Sequence, residues 1–347
     1  MSAGGCNSVD APLRLRDSGA MSDLPTPAPL PDLEVLHALH GRFEAARAAC
    51  PALADGEMSE VLRIVPGKRA VMTGSLGRRA VVFRIFAADQ GEMAGREWRE
   101  MTRIWPLMNS GAYRVAEPLL HLPDHGILAI EQISGAPLLE HLWHSETESR
   151  AQHLRPAAEW LRHYTEGSES WRAGNAAGWL ARAKRASATQ PFARLRAIEI
   201  DILDELRRLA KALEDAEWRV AICHGDFHPN NLILAGDRLT GIDIGGSARI
   251  PVCKDIARFL VHMGRRGMIP SGQRHLGVDR LGIEAFTEAF GLTSVERRFW
   301  LPFFIGCEAL IRVESKGLKQ SRIARAEEMY ATLRDDLIAV RCAPRTT

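Results

Sequence analysis

The segment Cys223-His224-Gly225-Asp226-Phe227-His228-Pro229-Asn230-Asn231 places an aspartate two residues after a histidine and an asparagine five after that, the spacing H-x-D-x-x-x-x-N. A phosphoryl-transfer site needs a carboxylate that accepts a hydroxyl proton and, a short loop away, a neutral oxygen donor that helps hold magnesium near the phosphates. Asp226 and Asn231 fit those two roles. A second hard-cation ligand should be a carboxylate on a nearby hairpin, and Leu239-Thr240-Gly241-Ile242-Asp243-Ile244-Gly245-Gly246 supplies Asp243 at the end of an apolar strand. Magnesium is then expected between Asn231 and Asp243. His224 and His228, with Cys223 or Cys253, suggest zinc less well, because H-E-x-x-H is not matched and Pro229 interrupts any shared helix. His224 is expected to pack beneath the loop, and His228 either positions Asp226 or is solvated.

Elements that could hold such a loop are legible on both sides of it. After a helical stretch near 33–49, residues 61–133 turn to short apolar runs: Val61 to Val65, Arg69 to Thr73, Ala80 to Phe86, Pro118 to His121 and Ile127 to Gln132. Pro66-Gly67-Lys68 makes the first turn, and Gly74-Ser75-Leu76-Gly77 is expected to return the chain into the third strand. One helix interrupts them, from Met93 to about Leu107, with Trp98, Met101, Trp105 and Met108 at helical spacing and Pro106 at its end. Beyond the connector near Glu131 to Pro137 the pattern is helical: 150–164, 197–213, 255–263, 281–290, 295–313 and 321–339. The expected fold is α+β with two lobes: residues 33–134 a small antiparallel β lobe carrying one helix, and 135–342 a larger, mainly helical lobe. Residues 1–32, rich in Gly, Ala, Ser and Pro, read as a disordered leader in which Met21 is an alternative start.

Composition narrows the partners. The 347 residues carry 45 Lys+Arg against 43 Asp+Glu, a formal charge of +2, which gives no global field of the kind a nucleic-acid binder uses. No stretch approaches the ~18 apolar residues of a membrane span, and no signal-peptide core is present near the start. The six cysteines (Cys6, Cys50, Cys223, Cys253, Cys307, Cys342) form no CxxC pair, so they read as thiols of a reducing, cytoplasmic compartment.

His224-Gly225-Asp226-Phe227-His228-Pro229-Asn230-Asn231-Leu232-Ile233-Leu234, followed by Gly241-Ile242-Asp243-Ile244-Gly245-Gly246 and then Asp255-Ile256-Ala257, resembles the aminoglycoside phosphotransferase and choline kinase superfamily. The resemblance spans about 60–339, its last third by helical character alone. It implies a protein-kinase-like fold, with ATP as phosphoryl donor, Mg2+ as cofactor and a small-molecule hydroxyl as acceptor. It makes Asp226 the catalytic base, Asn231 and Asp243 the magnesium ligands, and His224 and Asp255 structural, with Asp255 read as the N-cap of the next helix. Arg84, in Val82-Phe83-Arg84-Ile85, stands where V-A-I-K carries its lysine, and Glu97 is its expected partner, with Glu100 the alternative. Lys68 or Arg69 would add charge at a turn over the phosphates, in place of the absent G-x-G-x-x-G. Ile130-Glu131-Gln132-Ile133 resembles the hinge whose backbone binds adenine, which makes Glu131 and Ile133 cofactor-binding candidates.

An amino alcohol, an aminoglycoside or a sugar would be the acceptor. A cationic one needs carboxylates, for which Glu308 and Glu314, or Asp335 and Asp336, are candidates, while Phe299-Trp300 and Phe303-Phe304 are core or a pocket wall. A nucleotide-binding pseudokinase without turnover is the competing reading, motivated by Arg84. A protein kinase is disfavoured, because no A-P-E follows Asp243.

Overall fold

A computed structural model describes residues 33–342, so the proposed leader 1–32, with Met21 and Cys6, lies outside the described residues, as does the Cys342 side chain. Helix α1 (Leu33–Ala49) precedes three antiparallel strands, β1 (Gly56–Val65), β2 (Arg69–Leu76) and β3 (Arg79–Phe86). Strand β2 runs past Gly74 to Leu76, and the chain reverses at Gly77, whose φ of 59° a side chain would resist. Gly74 is instead a point of close approach, since a Cβ there would lie 2.1 Å from the Glu57 carbonyl.

Alternation along β3 assigns its two faces. Val81, Phe83 and Ile85 bury against α1, with the Phe83 and Phe43 rings 5.0 Å apart and edge-on. Phe86 on the other face packs with Ala94 of helix α2 (Gly91–Ile104), and Arg84 points the same way. Helix α2 buries Ala94, Glu97, Met101 and Ile104, one face at helical spacing with a carboxylate in its middle. It ends two residues before Pro106: Trp105 is still helical and donates to the Met101 carbonyl, but the proline has no N–H with which to continue the ladder. Strand β4 (Tyr113–Val115) comes next, then β5 (Pro118–Leu122) and β6 (Ile127–Glu131), which complete a sheet of order β1-β2-β3-β6-β5.

Beyond Glu131 come β7 (Ala136–Pro137), α3 (Leu138–His144), α4 (Leu154–Thr165), β8 (Ser170–Ala173), α5 (Ala176–Ser187), α6 (Ala193–Ala212) and β9 (Glu217–Cys223). Strands β10 (Leu232–Ala235), β11 (Arg238–Gly241) and β12 (Ala248–Pro251) lead into α7 (Val252–Gly264), α8 (Arg280–Phe290), α9 (Leu301–Ile311) and α10 (Gln320–Cys342). Strand β4, which the sequence pattern does not reveal, pairs in parallel with β11, so the chain visits the large lobe once before the small sheet is complete. The 295–313 stretch is a single π-turn (Glu296–Trp300) followed by α9, with Trp300, Phe303 and Phe304 all in the core.

Helix α7 is buried along its whole length, and an aromatic column fixes it to the site: Trp160 stacks on Phe227 at 5.6 Å and Phe227 on Phe259 at 5.1 Å. Cys223, Cys253 and Cys307 are buried free thiols, and no described helix is long and apolar enough to cross a membrane.

The Trp160 ring lies over Gly241, where a Cβ would fall 1.9 Å from the indole. Gly241→Ala should therefore cost about 1–3 kcal/mol by overpacking, read as a Tm several degrees lower. An unchanged Tm would show that the indole is free to move.

Candidate active site

Strand β9 ends at Cys223, and the loop 224–231 that follows lies against α7, meeting Asp255 and Arg258. His224 is fully buried and its Nε2 meets the Ile242 carbonyl at 3.0 Å, which ties the loop to the end of β11. Gly225 has φ 85°, and a Cβ there would meet the Gly246 carbonyl at 2.2 Å, so only glycine fits. Its N–H donates to Asp255 Oδ2 at 2.8 Å and its carbonyl accepts from Lys254 Nζ. Asp255 is therefore not an N-cap: α7 begins three residues earlier, and the buried carboxylate, paired with Lys254 at 3.1 Å, clamps the loop instead.

Two hydrogen bonds bring the three chemical residues together. The Asn231 amide donates to the Asp226 carbonyl at 3.0 Å, which leaves its Oδ1 as an acceptor, and Ile242 N–H donates to the Asn231 carbonyl at 2.9 Å. Asp243, next in the chain, is one of two non-glycine residues among those described with positive φ (58°), a strained conformation of the kind that active sites hold. Its Oδ1 accepts from Arg69 at 2.8 Å and from Arg84 at 3.0 Å. Arg84 also pairs with Glu97, and both are buried. Gly245 makes room for this, since a Cβ there would lie 2.6 Å from Glu97 Oε2.

Burial would raise the Asp243 carboxyl and lower the Arg84 guanidinium, but the opposite charges outweigh it: Asp243 is held below, and Arg84 above, its ordinary value. Glu100 is not the partner of Arg84, because it bonds Arg103 and the Tyr164 hydroxyl. Of the two turn cations, the structure brings in Arg69, while Lys68 is exposed at the apex and makes no ion pair among the described residues.

Asp226 itself faces cations. Arg258 Nε lies 2.7 Å and Arg312 3.2 Å from its Oδ1, and His228 Nε2 lies 3.5 Å from Oδ2. Burial would raise this carboxyl, but the hydrogen bond from His228 and the Arg258 charge hold it well below the usual carboxylate range. His228 in turn stacks on His262 at 4.4 Å. Sequence reasoning missed Arg258, His262 and Arg312, although Lys254, Arg258, His262 and Arg266 recur every four residues, the repeat of one helix face.

Of the carboxylates expected to receive a cationic acceptor, three are engaged elsewhere, and Glu308 is buried with its Oε2 lacking a hydrogen-bond partner among the described residues. Glu308 is buried 3.6 Å from Arg312, Glu314 is buried against Arg265, Asp335 pairs with Arg334, and Asp336 accepts from Leu276 N–H. At the connector the Glu131 carboxylate is taken by Arg114 and by Glu117 N–H. Its own N–H reaches the Glu117 carbonyl, and the Gln132 N–H reaches Ala80, while Ile133 has no backbone partner among the described residues. Between connector and loop, Ala116, Ile130, Ile242 and Ile244 line a cavity of about 10 Å³ that ends on Arg84 and Asp243.

Residues 23–273 match the phosphotransferase enzyme family. The chain belongs to that family. Its fold is that of solved small-molecule kinases: a choline/ethanolamine kinase family protein from Mesorhizobium loti superposes with a TM-score of 0.57 at 17% identity over 88% of this chain and 99% of that one. Choline kinase LicA from Streptococcus pneumoniae gives 0.52 at 15% over 86% and 99%. The amicoumacin kinase hAmiN, solved with AMP-PNP, Ca2+ and Ami, gives 0.52 at 12% over 86% and 96%. No curated protein matches the sequence. The phosphotransferase is thus a two-lobed, kinase-like α+β protein with 224–231 and 241–246 where the lobes meet.

Part of its acid response follows from His262. Burial, with Arg266, His228, Arg258 and Arg322 adding positive charge nearby, keeps that imidazole neutral to well below its ordinary pKa. The unfolded chain takes up the proton near pH 6.5 and the folded one does not, so this stability is full above ~6.5 and is lost as pH falls. Between pH 7 and pH 5 the wild type should lose more Tm than His262→Gln. Equal losses would show that His262 titrates freely in the fold.

Proposed function

We propose that this phosphotransferase moves the γ-phosphoryl group of ATP, with Mg2+, onto a hydroxyl of a small molecule. The observation that carries the reading is the convergence of Asp226, Asn231 and Asp243 on one edge of the loop, tied by the Asn231 amide and the Ile242 N–H. The acceptor oxygen forms the new P–O bond, the bond from the γ-phosphorus to the bridging oxygen breaks, and the hydroxyl proton passes to Asp226. A carboxylate held so far below its usual pKa is a weak base. Asp226 therefore acts mainly by orienting the hydroxyl, which is what a loose transition state asks of it.

The oxygens fit a hard cation: the Asn231 Oδ1 and the Asp243 Oδ2 make no protein hydrogen bond among the described residues. Those two residues would hold magnesium, which neutralises charge on the phosphates. Arg84, kept in place by Glu97, supplies a fixed cation where related kinases use lysine, and its planar fork suits two phosphate oxygens. Arg69 lies next to it. Ile133 offers free backbone groups to the adenine edge, while Glu131 serves the connector through its ion pair with Arg114. Free cysteine thiols support a cytoplasmic setting.

One observation favours the competing reading of a nucleotide-binding module without turnover: Asp226 and Asp243 both rest in ion pairs with arginines. Turnover separates the two. ADP formation with a panel of alcohol acceptors should fall about 10²–10⁴-fold in Asp226→Asn, with ATP affinity within a few-fold of wild type. Equal rates in both proteins, or none in either, would contradict the proposed role.

A further inference from the structure

On the side of α7 and α9, Asp226 looks onto a surplus of positive charge. Arg265 and Glu314 form a closed pair, with Arg265 donating from both Nε and a terminal nitrogen, and neutralise each other. Arg258, Arg312 and Arg266 remain, against the carboxylates of Asp226 and Glu308. Arg258 uses only Nε on Asp226, and its two terminal nitrogens have no partner among the described residues. Arg312 reaches Asp226 through one terminal nitrogen and is a third exposed. Arg266 bonds only the His262 carbonyl and pairs with no carboxylate among the described residues.

The crowding is physical as well as geometric. Burial, then the charges of Arg322, Arg265 and Arg258, brings Arg266 down to about 9, and burial with Arg312 lowers Arg258. Guanidiniums that depress one another form a place where an anion is stabilising. His262 Nε2 is buried there without a hydrogen-bond partner. A choline-like or polyamine acceptor would meet repulsion at this face, because Glu314 is closed in its pair with Arg265, and Glu308, whose Oε2 has no hydrogen-bond partner among the described residues, is buried 3.6 Å from Arg312 and outnumbered by the guanidiniums.

Building on the kinase reading above, we propose that the acceptor bears an oxyanion group, carboxylate or phosphate, besides its hydroxyl, and that Arg258, Arg312 and Arg266 bind it while Asp226 takes the hydroxyl. Arginine suits this because its planar donors pair with either oxyanion in bidentate fashion.

The test is thermal unfolding of the full chain with and without Mg·AMP-PNP, adding malonate, inorganic phosphate or choline chloride at equal ionic strength. Malonate or phosphate should raise Tm by several degrees beyond sodium chloride, and choline should not. Arg266→Gln and Arg312→Gln should each weaken the anion effect about tenfold, the scale of one charge-assisted hydrogen bond. A larger effect of malonate assigns a carboxylate, a larger effect of phosphate a phosphoester. A choline shift equal to that of the anions, or no anion shift, overturns the inference and leaves the kinase reading standing. An anion shift with no AMP-PNP shift overturns the kinase reading, and with it the assignment of the anion site to an acceptor.

Discussion

The guanidinium of Arg84 sits between the carboxylates of Glu97 and Asp243, and the relation between the two lobes depends on it. Strand β3 supplies the cation, α2 one carboxylate and the turn after β11 the other, so a single buried group joins three elements distant in sequence. Removing one member of such a set leaves an uncompensated charge in the interior, which costs about 3–5 kcal/mol. Two local features exist because of it: the left-handed backbone at Asp243, and the bare Gly245 that lets Glu97 approach. Arg69 adds a second cation from the start of β2, so the same carboxylate is also tied to the turn over the cleft.

The loop 224–231 is held by different means. Asp255 and Lys254 grip Gly225 from both sides of its peptide, His224 pins the loop to β11, and Phe227 enters the aromatic column with Trp160 and Phe259. What is left for chemistry is the half-exposed carboxylate of Asp226, flanked by cations from α7 and α9. In the reading proposed above, a site that stabilises the ionised carboxylate so strongly orients more than it deprotonates, and its cations favour an anionic group.

Much of this was legible because it rests on short-range patterns. Turn residues and alternation gave the three-strand meander and the two later strands of the small sheet, and H-x-D-x-x-x-x-N gave the loop, since both depend on neighbours in the chain. Strand β4 was not legible, because three residues show no period and its pairing with β11 is about 125 positions away. The choice of Arg69 over Lys68 turns on which residue is at the strand and which at the turn apex, a boundary of one position. Asp255 was misjudged for the same reason, since α7 starts at Val252 and not at the aspartate. The carboxylates 308 and 314 were visible, but nothing local reveals that Arg265 claims the second and that the first is buried beside Arg312. The four-residue basic repeat on α7 was in plain sight within an apolar helix, where burial suggests structure before function.

The central claim is that Asp243, whose Oδ1 is held by Arg84 and Arg69, offers its other oxygen to a cation and so makes nucleotide binding depend on magnesium. Calorimetric titration of ATP into the protein with Mg2+ and with EDTA, for wild type and Asp243→Ala, tests it most directly. The account predicts at least tenfold tighter binding with Mg2+ in the wild type, and little or no difference in the variant. Equal Mg2+ dependence in both proteins, or none in the wild type, would contradict it.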